Sequence, residues 1–536
     1  MQQLNLTLKI ITPMFISGAN PKGAALRAPS LVGALRFWWQ ALAWSRLTSG
    51  QEPHNDADAR KLLQYWEAQT FGSTAGQSPF RIRLSHPDRL KHTQVTAQNT
   101  PVNRSAERGG TTLAGYSMYT SNGASVFHRS AAGNYATSGS GLIYMAGLGL
   151  AGFVRERENS QQQTSIGKFR DLRPALLHNQ TFMVNLIAPK LEALLLSPQT
   201  DTGAPGLLDA FEALCLFGGL GSRSRRGFGS IQLDAWSWQP QLSQASGSQC
   251  AIETRLNTLK ALKVEDIEAF FKKYSRGAHP EYSAFSQSSR LALLTRPPDI
   301  PITQTNTVSD FSQLAALVPS QGDPIADTHN RLGQSFVWHR GKGFRGRHSG
   351  VHKVGGLNSL GTYSQDSTWF DDINQAQSTA SQSERKKILT NENVANTPPP
   401  CRVGFGLPLQ FSSRSTGSLF SVILNATDTD NNAKRRASPL LFSIKRLENN
   451  QILIVILNLH ARFLPEAYQI GVSAKDMTSV ALRLPSTDEN PAQDYLNFLQ
   501  TPPNNVRSEL HDKIFEGYTI KVCAPESPQP VSEPQP

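Results

Sequence analysis

Between residues 216 and 231 the chain reads LFGGLGSRSRRGFGSI, five glycines and three arginines with no acid, and this window constrains how its two flanks can be joined. Upstream, Leu207, Leu208, Phe211, Leu214 and Cys215 recur at helical spacing. Downstream, Ile231, Leu233 and Ala235 alternate with polar residues, as in a half-buried strand. The window is therefore a helix-to-strand loop. Its glycines permit positive φ and close approach of backbone N–H groups to a ligand, and Arg223, Arg225 and Arg226 supply planar forks suited to phosphate oxygens. A phosphate-binding P-loop would end in Gly-Lys-Ser/Thr and a dinucleotide loop would be spelled G-x-G-x-x-G; neither spelling occurs here. Two readings remain, a loop built to touch a polyanion and a solvated turn whose arginines keep the chain soluble.

The wider composition leans toward the first. A chain of 536 residues with 38% hydrophobic content can bury ample core, and at about 100–200 residues per domain it should form two to four units. The formal charge of +12 and a pI near 9.5 favour a polyanionic partner. The four cysteines, Cys215, Cys250, Cys401 and Cys523, form no C-x-x-C pair, which argues against a zinc ribbon or a disulfide scaffold and for a reducing compartment. The first ten residues lack a basic segment followed by a long apolar run, and the apolar stretch 452–457 is far too short to span a bilayer. A cytoplasmic protein without membrane partners is expected.

Taken in order, residues 4–11 alternate as a first strand closed by Thr12-Pro13. Ser30 can cap a helix running to about Arg46, with Leu31, Ala34, Leu35, Trp38 and Leu42 on one face and Arg36, Trp39 and Gln40 off it. Residues 80–84 and 181–187 read as second and third strands. The insertion between them holds a Ser/Thr/Asn/Gly-rich run from about 93 to 141, which cannot pack a core by itself. Residues 147–152 there spell G-x-G-x-x-G with Asp171 about twenty residues on, but the polar segment that follows lacks the apolar helical face a dinucleotide fold requires. With the helix from Leu207 and a strand over 230–238, the order is β-α-β-β-α-β. Residues 239–264 read as a linker, 265–274 as a helix, 286–295 as a strand opening a second domain, and 329–339 as that domain's first helix. Residues 402–411 and 418–425 read as paired strands, and LLFSIKRL and ILIVILNL as strands joined by a Glu-Asn-Asn hairpin. The polar stretch 374–400 and the tail 524–536 read as linker and disordered end.

Four stretches carry a family resemblance. GGLGSRSRRGFG, 218–229, resembles the glycine-rich signature of the RAMP superfamily, the repeat-associated RNA-binding proteins of CRISPR systems, in which this loop precedes the last strand of a ferredoxin-like, RRM-like domain. Residues 12–42, TPMFISGANPKGAALRAPSLVGALRFWWQAL, are similar to the opening of the family of first subunits of type III-B (Cmr) effector complexes. FGLP at 405–408 with RRASPL at 435–440 resembles that family's C-terminal part. Ser17 and Gln40 depart from the glycine and arginine often found at those places.

The resemblance implies an α+β chain of two tandem ferredoxin-like (RRM-like) domains with long loop insertions. Residues 1–238 would form the first, with an insertion at about 85–179, and 265–523 the second. It further implies a non-catalytic subunit of a type III-B CRISPR ribonucleoprotein, near the 3' end of the crRNA, assisting capture of target RNA in antiviral defence. Its partners would be crRNA, target single-stranded RNA and the other Cmr subunits, with no cofactor and no metal. Arg27 and Arg36 would contact phosphates, joined by Arg223, Arg225 and Arg226 of the loop. Trp39 would face a base or a neighbouring subunit, or else lie in the core as Trp38 does.

A second basic island lies at 331–353, with six Lys or Arg and no acid. A zinc site from His339, His348 and His352 lacks the usual cysteines or carboxylates. A histidine acting as base in metal-independent RNA cleavage, as some RAMP relatives achieve, is a second reading. The favoured one is a cationic loop that orders on RNA, with Arg340, Lys342, Arg345 and Arg347 at phosphates and Trp338 or Phe344 stacking. Arg435 and Arg436 could touch RNA or cap a strand edge. Neither Asp371-Asp372 nor His511-Asp512 demands catalysis. The rival functions are thus a metal-independent RAMP endoribonuclease and a mainly structural subunit.

Overall fold

The computed structural model describes residues 1–17, 23–49, 56–93, 112–113, 116–119, 140–147, 151–155, 167–171, 173–196, 203–239, 247–280, 282–298, 321–340, 352–354, 357–359, 405, 409–412, 419–426, 437–461, 468–474, 480–481, 491–500 and 514–525. The alternation at the start of the chain becomes β1 (Gln2–Ile10), which turns Leu4, Leu6, Leu8 and Ile10 into the core. Helix α1 (Ala28–Thr48) begins three residues earlier than a cap at Ser30 suggests. Arg27 is its N-cap, without a side-chain bond, and Pro29 in the first turn has a φ already set for helix. A second helix, α2 (Asp56–Phe71), packs against α1, and β2 (Arg81–Ser85) follows.

After the short helix α3 (Ser140–Ala146) inside the insertion come β3 (Thr181–Ala188), α4 (Leu207–Phe217) and β4 (Ile231–Gln239). The strands pair in the order β2-β3-β1-β4, every neighbour antiparallel. That is the ferredoxin-like arrangement of a β-α-β-β-α-β unit. Trp39 resolves to the core: it is fully buried, donates its Nε1–H to the Pro205 carbonyl at 2.7 Å and meets Phe71 edge-on. It therefore cannot face a base or a partner.

The polar stretch read as a linker contains α5 (Gly247–Lys260), followed by α6 (Val264–Tyr274). The apolar stripe of α5 is thin, only Ile252, Leu256 and Leu259, but all three are buried against the first domain. The second unit then runs β5 (Arg290–Arg296), α7 (Pro324–Arg340), β6 (Leu440–Arg446), β7 (Ile452–Asn458), α8 (Pro491–Gln500) and β8 (Thr519–Cys523). Its order, β6-β7-β5-β8 with all pairs antiparallel, repeats that of the first. Asn450, at φ 64°, makes the β6–β7 turn. The strands expected near 402–425 appear as Leu409–Ser412 and Leu419–Ala426. They pair in a separate sheet with Tyr468–Ala474 and Val480–Ala481.

The second sheet is covered on both faces, which explains why β6 and β7 read as continuous apolar runs rather than alternating ones. Leu291, Leu293, Leu441, Leu453 and Val455 join the core of the first domain with Trp38, Phe217 and Phe285. Ala292, Leu294, Phe442, Ile454 and Ile456 pack on Phe336 of α7 and Tyr495 of α8. Burying the sheet between two helical layers welds the two units into one core. No helix among the described residues is long and apolar enough to cross a membrane.

Candidate nucleic-acid interface

The glycine-rich loop is pinned at both ends. Toward the first domain, Gly229 N donates to the Pro13 carbonyl, Ser222 N to the Phe15 carbonyl, and Leu220 N to the Gly229 carbonyl, at 2.7–2.8 Å. Thr12 Oγ1 donates to the Gly227 carbonyl and accepts from Ser230 N. Toward the second domain it runs beside β6, the edge strand of that sheet. Phe442 N donates to the Arg225 carbonyl, Ile444 N to Ser230 Oγ, and Arg446 N to Gln232 Oε1, while Gln232 Nε2 returns a bond to the Arg446 carbonyl. An edge strand exposes unpaired backbone groups; here a hydroxyl, an amide and a loop carbonyl take the place of a neighbouring strand.

Two of the loop's three arginines serve this seam. Arg225 donates Nη1–H to the Ser438 carbonyl at 2.6 Å and lies 5.0 Å from the Phe37 ring centroid. Burial pushes its pKa down to about 10, which still leaves it charged at neutral pH. Arg226 lies 4.7 Å over Phe336, and its carbonyl accepts from His329 Nε2 at 2.8 Å. Arg223 remains exposed at φ 63°, with its guanidinium against Gly147; a Cβ on Gly147 would stand 2.6 Å from Nη2. The glycine of the formal G-x-G-x-x-G thus makes room for an arginine, not for a dinucleotide.

Lys445 was not anticipated. Wholly buried, it donates Nζ–H to the Gly218 and Ile231 carbonyls, and desolvation pushes its pKa down to about 7. The sequence signal was a lysine inside the apolar run LLFSIKRL, where an internal carbonyl partner is needed.

Outside the loop, Arg27 is exposed at the start of α1, whose first turn carries no acid, so the positive end of the helix and Arg27 together favour an anion. Arg36 is drawn into α2: Nε lies 3.1 Å from Glu67 Oε1, and the guanidinium sits over Phe71. Of the second island, Arg340 ends α7, and Lys342, Arg345, Arg347, Phe344 and His348 lie outside the described residues. His352 opens a short strand, His352–Val354, while His339 is 2% exposed and ringed by Phe405, Tyr495 and Phe498. Arg435, Arg436, Asp371, Asp372, His511 and Asp512 are also outside the described residues. Among the described residues no three His, Cys, Asp or Glu are grouped to hold a metal.

The seam carries a titratable element. His329 is fully buried 4.5 Å from the Phe228 ring, gives its Nε2–H to Arg226 and accepts at Nδ1 from Tyr116 Oη. Burial pushes its pKa down to about 4. The folded state therefore binds fewer protons than the unfolded chain between about pH 6.5 and 4, and stability falls as pH drops through that window. A shift of about 2.5 units sets the loss at roughly 3 kcal/mol. Thermal melting between pH 7 and 4 should show this slope, and His329→Gln, which cannot titrate there, should flatten it. An equal slope in both proteins would assign the acid sensitivity to groups other than His329.

Residues 7–232 match the sequence model of the RAMP superfamily. None of the curated protein sequences matches the chain. Among solved structures, apo Cmr1 from Pyrococcus furiosus is similar at 14% identity and a TM-score of 0.34, over 97% of this chain and 98% of that one. A chain of the type III-B Cmr-beta complex bound to cognate target RNA is similar at 12% identity and a TM-score of 0.33, over 87% and 96%. The same complex with AMPPnP and ssDNA gives 10% and 0.32, over 92% and 99%. From the first strand through the glycine loop to the start of the fourth, residues 7–232, this chain is similar to the RAMP superfamily.

Proposed function

We propose that the protein is a non-catalytic, RNA-binding subunit of a type III-B CRISPR (Cmr) ribonucleoprotein, placed near the 3' end of the crRNA, where it helps capture target RNA alongside the other Cmr subunits. The observation that carries this reading is the RAMP-superfamily match, which spans the glycine loop on a ferredoxin-like domain of a strongly basic chain. The narrower assignment to the Cmr complex rests on the resemblance of residues 12–42, 405–408 and 435–440. Arg223 and Arg27, both exposed, are the loop and helix cations available to a phosphate backbone. The burial of His339 among aromatic rings supports the absence of cleavage, since a general base must reach the 2'-hydroxyl it deprotonates.

The test is binding of a labelled single-stranded RNA across a salt series, followed by a denaturing gel. With about six phosphate contacts, log affinity should fall against log salt with a slope of roughly 4, at about 0.7 per contact. Arg27→Ala with Arg223→Ala should lower that slope by roughly 1.4, and the RNA should stay intact. A wild-type slope near 1 would point to a structural subunit; RNA cut by the wild type would point to a nuclease.

A further inference from the structure

Two of the glycine loop's three arginines are engaged in the seam, whereas a second set of cations lies on the outer face of the first sheet. Side chains alternate across a strand, and the pairing identifies which ones share the outer face. Arg81 stands opposite Ile187 and Gln3; Arg83 opposite Asn185 and Asn5; Ser85 opposite Met183 and Thr7; Lys9 opposite Thr181. The inner partners, Leu4, Leu6 and Leu8 with Leu186, Val184 and Phe182, are all buried. The outer face is polar, and Met183 on it is 39% exposed.

Its middle is ordered by a hydrogen-bonded ladder across all four strands. Ser85 Oγ donates to Asn185 Oδ1 at 2.8 Å, Asn185 Nδ2 to Asn5 Oδ1 at 2.6 Å, and Asn5 Nδ2 to Ser237 Oγ at 3.0 Å. The four strands carry Lys9, Arg81 and Arg83 against one carboxylate, Asp234 at the bulge of the far strand. Arg89 and Lys91 extend the positive charge beyond β2, with Asp88 between them and β2. The side chains of Lys9, Arg81 and Arg83 make no ion pair with a described residue.

We infer that this outer face is a second RNA-binding surface, a track for the sugar-phosphate backbone of a single strand. The inference rests on the reading of the protein as an RNA binder. Arg81 and Arg83, two residues apart on one strand, stand about 7 Å apart along it and can engage successive phosphates. The ladder fixes amide groups whose remaining N–H donors suit phosphate and sugar oxygens, and holding them in advance lowers the ordering cost on binding. The sheet's outward positions include no aromatic side chain, so bases are not stacked there and the track is indifferent to sequence.

The test compares wild type, Arg27→Ala/Arg223→Ala, and Lys9→Glu/Arg81→Glu/Arg83→Glu as full-length chains, using a mixed-sequence oligoribonucleotide in a salt series and poly-L-glutamate as an acidic polypeptide probe. The triple variant should melt like wild type and bind the RNA at least tenfold more weakly, with a salt slope lower by roughly 2 for three lost contacts. Unchanged affinity and slope in the triple variant, with wild type binding steeply, would overturn the track and leave the proposed function standing. A wild type that does not bind RNA would overturn both. A triple variant that keeps RNA but loses poly-L-glutamate would assign the face to an acidic protein partner and likewise overturn the track.

Discussion

Gly229→Ala should leave a protein that does not hold its two domains together, with a stability loss above about 3 kcal/mol read as a shift in the urea midpoint or as failure to accumulate in soluble form. Gly229 sits at φ 67°, and a Cβ there would stand 1.9 Å from the Leu220 carbonyl oxygen. The left-handed conformation alone costs a non-glycine residue about 1–2 kcal/mol. The contact adds more, because the obstacle is backbone rather than the end of a flexible side chain. To relieve it the loop must give up Leu220 N to Gly229 or Gly229 N to Pro13, and it carries Ser230, whose hydroxyl satisfies Ile444 N of β6, away with it. One methyl group thus acts on the edge of a sheet more than two hundred residues distant. Gly33→Ala is the control: it lies on the exposed side of α1 with nothing within 4 Å of the added carbon, and alanine's better helix propensity should raise stability by up to about 1 kcal/mol. A Gly229→Ala protein as stable as Gly33→Ala would show that the loop is not the joint between the domains.

The contrast between these glycines marks where sequence reading stopped. The helix and strand flanking residues 216–231 were legible because Leu207, Leu208, Phe211 and Leu214 repeat at a helical period and Ile231 and Leu233 at a period of two, and such patterns are local. The same holds for β1, for the β6–β7 hairpin, and for the β-α-β-β-α-β order of the first domain, whereas α8 and β8, which complete the repeat in the second, were not read from the residues. What the loop's arginines do was not legible. Arg225 bonds to Ser438 and Arg226 lies over Phe336, partners that only the folded chain brings near, and a basic glycine-rich string looks the same whether it meets phosphate or carbonyl. Lys9, Arg81 and Arg83 were overlooked for the opposite reason. They are scattered singly along alternating strands, and only the pairing register gathers them on one face.

The linker reading of residues 239–264 failed for a reason that supports the second large prediction. Helix α5 has a weak apolar stripe because part of its attachment is ionic. Arg255 Nη2 lies 2.6 Å from Asp209 Oδ1 and 2.5 Å from Glu212 Oε2, and Nε donates to Glu212 Oε1 at 2.8 Å; the Asp209 side chain is wholly buried. Asp209 Oδ2 meanwhile accepts from Gly206 N, so the same carboxylate caps α4. Arg255→Met should therefore cost about 3–5 kcal/mol, the range for stranding buried charge by removing its partner, where a solvated linker residue would cost less than about 0.5 kcal/mol.

The pH dependence separates this from lost packing. Burial already raises the Glu212 pKa, and Arg255 is the main influence lowering it. Without Arg255, both burial and the neighbouring Asp209 push it further up, so the folded variant binds more protons than its unfolded chain above the ordinary carboxyl range near pH 4.3. Stability of the variant should accordingly rise on acidification, and the wild-type-minus-variant gap should be smaller at pH 5 than at pH 8. The His329 titration acts on both proteins alike and cancels in that difference. Arg255→Met with Glu212→Gln and Asp209→Asn should recover much of the loss at pH 8, since neutral amides no longer need a cation. A gap that is the same at both pH values, and unmoved by the amides, would mean that α5 is held by its three apolar side chains alone.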